Sequence, residues 1–146
     1  MLRAGAILLS LWTGFNLALA LGILFMMLAL GRNAPCLILL FGKMQAAGME
    51  PRALATINGL AVVFNGCAAA ICGLSLSIIW VALRRGARWA FWSLAICLGF
   101  LQAAGFASDS FFHYKDLAAN VGSSVLLLSG LGCAAVGIFR EGNEAA

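Results

Sequence analysis

The residue types able to do acid–base or metal chemistry gather in one stretch, SDSFFHYKDLAAN, running from Ser108 to Asn120. Asp109 and His113 stand four positions apart. On a helix they would share a face, where the carboxylate could orient the imidazole for proton transfer or the pair could supply two metal ligands. A metal centre would need a third ligand, and only Glu50 or Asp116 is of the right type. The same stretch also reads as an ordinary boundary loop. Ser110 or Asp116 would cap the following helix, Phe111, Phe112 and Tyr114 would sit at the headgroups, and His113 would be solvated. The second reading is the more economical, and no catalytic residue, metal or cofactor is assigned.

The remaining chain narrows the chemistry further. His113 is the single histidine, which excludes a bis-histidine haem, and no HExxH or GxSxG motif occurs. Four of the five cysteines, Cys67, Cys72, Cys97 and Cys133, lie inside apolar runs and read as small hydrophobes; Cys36 is the fifth, and no CxxC pair exists. What the apolar runs do contain is amides: Asn16, Asn58, Asn65, Gln102 and Asn120. An amide in hydrocarbon should face other helices or a cavity rather than lipid. These five are therefore expected to bound an outward-facing polar pocket with Asp109 and His113 at its mouth. Alternatively, they bond to facing backbones and set helix register.

The elements that must position these residues follow from composition. Of 146 residues, 64% are hydrophobic and 10% charged. A domain of this size leaves about a third of its chain surface facing water, so that much apolar surface requires lipid as solvent. Four apolar runs reach the ~20 residues that a helix needs to cross a bilayer, and none shows the alternation of a barrel strand. They extend approximately over Gly5 to Gly31, Leu54 to Leu83, Ala87 to Ala107 and Leu117 to Phe139. With their flanks they predict transmembrane helices at about 5–31, 52–84, 87–108 and 116–139, in one all-α membrane domain arranged as an antiparallel up-down bundle. Arg3 and the first run imitate a signal peptide, but the run continues unbroken to Leu30, which predicts a retained signal anchor. A shorter apolar piece at about 35–49 is expected to be interfacial or re-entrant, and Pro51 suits the first turn of the second helix.

Orientation is read from basic residues. Arg84, Arg85 and Arg88 fall within five positions without an acid, flanked by Trp80, Trp89 and Trp92. This cluster predicts cytoplasmic N- and C-termini in a plasma membrane of the bacterial inner-membrane type. The net charge of +4 is too small and scattered for nucleic acid, so the expected partners are membrane lipids and other membrane subunits or the chain itself. Ionisable residues are absent from the middle of every span, which argues against a proton relay or ion pump.

Helix association in lipid relies on small residues that let backbones approach. Candidate seams are Gly14, Ala18 and Gly22 on the first helix, Gly99 and Ala103 on the third, and Gly122 and Gly137 on the fourth. The second helix repeats Asn58-Gly59, Asn65-Gly66 and Cys72-Gly73 every seven residues, which keeps each pair on a nearly constant face. The expected function is that of a non-catalytic structural or accessory subunit. The alternative is a ligand-binding membrane protein, permease or enzyme, that takes a lipid or quinone-like molecule in the outer polar pocket.

Overall fold

Lipid cannot satisfy free backbone groups, so long apolar runs are driven to helix, where every amide finds its partner within the segment. The computed structural model describes residues 1–30, 50–112 and 117–141, with the side chains of 108–112, 117–118 and 141 left out. It contains α1 (Leu2–Leu30), α2 (Pro51–Val81), α3 (Arg88–Phe112) and α4 (Leu117–Glu141). All four are long and apolar enough to cross a membrane. The shortest, at 25 residues, extends about 37 Å at 1.5 Å per residue, more than the roughly 30 Å of a hydrocarbon core. α2 opens on Pro51, and its first bond runs from Leu54 N to Glu50 O at 3.1 Å. Proline is tolerated there because the first amides of a helix have no acceptor in any case. The expected interfacial piece at 35–49 lies outside the described residues.

α2 is joined to α3 by a single tight turn. After Val81 the chain tightens into a 3-10 turn, Leu83–Arg85, and Gly86 takes a left-handed conformation with φ of 75°. Gly86 N donates to Leu83 O at 2.9 Å, and Ala82 O accepts from both Arg85 N and Ala87 N, at 3.1 and 3.2 Å. Only a residue without a Cβ enters this backbone region cheaply, which is why glycine ends the helix here.

The chain divides into two compact units, one made of Met1–Phe15 with Ile71–Ala146, the other of Asn16–Ala70. In the first, a core of Leu9, Trp12, Ile79, Leu83, Leu94, Leu98, Leu127 and Ala134 draws on all four helices. A close seam lies between α1 and α4. A Cβ on Gly5 would come within 2.5 Å of Ala134 N, one on Gly137 within 2.5 Å of Leu2 N, and one on Gly130 within 3.0 Å of the Leu9 side chain. Leu2, Gly5 and Leu9 thus meet Gly137, Ala134 and Gly130 in reverse order, an antiparallel register stepped by three and four residues. In the second unit, Met27 and Leu54 are buried against Ile23, Ile57, Ala61 and Val62.

Outside these cores the surface is apolar. Phe15, Phe25, Leu28, Leu60, Val63, Leu74, Phe100 and Leu128 are each between 64 and 74% exposed. Large side chains of this kind on every helix need a hydrocarbon solvent, and the chain is read accordingly as an integral membrane protein.

Candidate functional site

Several polar residues of the first unit converge on Gln102 of α3. Its Nε2 donates to Ser124 Oγ at 2.9 Å and to Asn120 O at 3.3 Å, while its Oε1 accepts from Ser123 Oγ at 3.0 Å. Ser123 Oγ in turn accepts from the indole Nε1 of Trp12 at 2.8 Å. The direction of the chain of bonds is fixed by its first member. An indole N–H can only donate, so the Ser123 hydroxyl must accept there and spend its own proton on the Gln102 carbonyl oxygen. The amide nitrogen of Gln102 is then left facing Ser124 and the Asn120 carbonyl.

Local sequence explains how the groups meet. Asn120, Ser123 and Ser124 lie within one helical turn of α4, so a single long amide from α3 reaches all three. Trp12 is 1% exposed, held by the α1–α4 seam one turn below, and projects its N–H into the same cluster. The network joins α1, α3 and α4 through indole, hydroxyl, amide and backbone groups. Ser123 faces an amide and an indole rather than a base, so it is not an activated nucleophile. Its chemistry is that of a clamp. Among the described residues no group of three His, Cys, Asp or Glu could hold a metal ion.

Of the residues singled out from the sequence, Gln102 and Asn120 are brought together here. Asn16, Asn58 and Asn65 belong to the other unit. There Asn65 Nδ2 donates to its own helix, to Ala61 O at 2.8 Å, and Asn58 Oδ1 is buried without a hydrogen-bond partner. Asn16 is half-buried and makes a contact of its own. The side chain of Asp109 and the whole of His113 lie outside the described residues. Among the glycines, Gly137 is in the α1–α4 seam, whereas a Cβ on Gly14, Gly22, Gly59, Gly66, Gly73, Gly99 or Gly122 would meet no described atom within 4 Å. Ala18 and Ala103 are exposed.

Three contributors escape a reading for amides alone: Trp12, Ser123 and Ser124. The signal for the serines is their place one turn beyond Asn120, on a helix that otherwise carries small and aliphatic residues there. Trp12 differs from Trp80, Trp89 and Trp92 in lying well inside an apolar run. An indole at that depth needs a hydrogen-bond acceptor. Compared with protein-family models, with curated proteins and with solved structures, the chain matches none.

Proposed function

We propose that this chain is a non-catalytic structural or accessory subunit, a four-helix up-down bundle with both termini cytoplasmic, that packs against copies of itself or within a larger membrane complex. The observation that supports it is the set of uncovered glycines. Glycine inside a helix costs about 1 kcal/mol relative to alanine. Close approach of a second backbone offsets that, as at Gly5, Gly130 and Gly137. Gly59, Gly66 and Gly73 repeat every seven residues on α2 and meet no described atom within 4 Å, and Gly14, Gly22 and Gly99 are equally open. A further helix packed on this face accounts for such a stripe, and lipid does not.

One observation favours a second reading, the binding of a lipid or quinone-like molecule by the outer amides: the buried, unpaired Oδ1 of half-buried Asn58. A buried acceptor left alone costs roughly 1–3 kcal/mol, and a ligand donor would relieve it.

Native mass spectrometry of the full chain, extracted with its own lipids, separates the two. An oligomer or a stoichiometric partner chain is expected. A paired Gly66→Leu and Gly73→Leu variant should lose it while keeping its helical circular dichroism. A lone monomer overturns the subunit reading. If that monomer carries a bound small molecule that Asn58→Leu removes, the ligand reading replaces it.

A further inference from the structure

At the arginine end of the first unit, the start of α1 and the end of α2 enclose a cleft of about 110 Å³ lined by Arg3, Ala6, Ile7, Trp80 and Arg84. From this cleft we infer a binding site for one anionic phospholipid, its phosphate held between the guanidinium groups of Arg3 and Arg84 and its glycerol and upper acyl segment laid against Trp80 and Ile7. The inference rests on the membrane character of the helices and not on the subunit reading.

Charge comes first. Arg3 and Arg84 both line the cleft, and among the described residues neither has a carboxylate within ion-pair distance. Two guanidiniums lining one small cavity repel each other, an anion between them relieves that repulsion, and the planar fork of arginine suits phosphate oxygens. The end of α2 would ordinarily present bare carbonyls, a poor neighbour for an anion. Here those of Ile78, Ala82 and Leu83 are occupied. Ile78 O accepts from Ala82 N, Ala82 O from Arg85 N and Ala87 N, and Leu83 O from Gly86 N.

Geometry comes second. The Arg84 guanidinium carbon lies 4.6 Å from the centroid of the Trp80 ring. At that distance the cation–π attraction of the indole holds the guanidinium beside the cleft. The cleft is smaller than the roughly 300 Å³ of a drug-sized pocket, which suits one phosphate and its nearest carbons and not a whole metabolite.

Polarity comes third. The other three lining residues are Ala6, Ile7 and Trp80, so the cleft is cationic at two corners and apolar between them. Ile7 is followed one turn on by Leu11 and another turn on by Phe15, and these are 57, 60 and 68% exposed. An acyl chain descending from the cleft would follow this strip toward the bilayer centre. A free phosphate ion would use the arginines and leave the strip idle.

The test is lipid retention on the full chain, purified into discs of mixed phosphatidylglycerol and phosphatidylcholine and stripped stepwise in a native mass spectrometer. The wild type should hold one phosphatidylglycerol after all phosphatidylcholine has gone. The paired R3Q/R84Q variant should lose that preference by about thirtyfold, taking the usual attraction of two surface arginines for an anionic leaflet. The paired R85Q/R88Q variant removes the same charge beside the cleft and should keep the preference. W80L should weaken retention with both charges in place. Melting followed by circular dichroism in phosphatidylcholine alone, with inorganic phosphate added, separates the ion from the lipid: no shift is expected. Equal loss in R3Q/R84Q and R85Q/R88Q, no preference in the wild type, or stabilisation by phosphate alone would each overturn the site as stated.

Discussion

The Ser123 hydroxyl links α1, α3 and α4, because it both accepts from Trp12 and donates to Gln102. Ser123→Ala deletes both bonds. Hydrogen bonds in membrane proteins average about 0.6 kcal/mol with a ceiling near 1.7, so a loss of about 1–2 kcal/mol is expected. Thr13, next to Trp12, is the opposite case: it is fully buried and its Oγ1 has no partner. Thr13→Val removes an unsatisfied hydroxyl at nearly constant shape and should be neutral or stabilise by up to about 1 kcal/mol. Reversible unfolding in mixed micelles checks the pair, and a Ser123→Ala protein as stable as wild type would show that the clamp contributes nothing. This half of the site was legible in outline from the residues, since an amide in an apolar run has to find a partner. What could not be read was the partner itself, because Ser123 and Ser124 carry no more signal than the other small residues of α4 until Gln102 is placed opposite them.

Helices α1 and α4 illustrate why small-residue patterns mark an element without marking its contact face. Gly14, Ala18 and Gly22 form the more regular stripe on α1, yet the seam forms around Gly5, and on α4 it forms around Gly130, Ala134 and Gly137. α4 offers small residues on several faces at once. The face that closes is chosen by what fills the gaps between them, here Leu2, Leu9 and Trp12, and that complementarity belongs to two helices together. Two alanine substitutions on the same helix should therefore differ in sign. Gly137→Ala drives a Cβ to within 2.5 Å of the Leu2 backbone, where no side-chain rotation relieves it, and should destabilise by about 1–3 kcal/mol. Gly132→Ala meets no described atom within 4 Å and should gain up to about 1 kcal/mol of helix propensity. Thermal denaturation in one detergent provides the comparison, and equal shifts for the two would remove the seam from the account of stability.

Across the whole molecule, charge and bulk are distributed as a bilayer requires: large aliphatic and aromatic side chains exposed along the helices, and basic side chains confined to their ends. The four apolar helices were legible because length and hydropathy alone set them, whereas their sidedness depends on a bias that only the arginine cluster supplies. Arg84, Arg85 and Arg88 carry three positive charges on one tight turn without an acid, and Trp80, Trp89 and Trp92 beside them are 53, 60 and 57% exposed. Basic residues in short loops resist translocation, and indoles prefer the headgroup level. The other loops mix both signs, with Lys115 beside Asp116 between α3 and α4. If the arginine turn is retained on the cytoplasmic side, Lys115 must emerge on the opposite face, one span of α3 away. Single cysteines installed at these two positions in a chain whose own cysteines are replaced by alanine test this directly. A membrane-impermeant maleimide on intact cells should label Lys115→Cys and spare Arg85→Cys until the cells are permeabilised. The reverse pattern would invert the topology, and labelling of both from one side would mean that α3 does not cross the membrane.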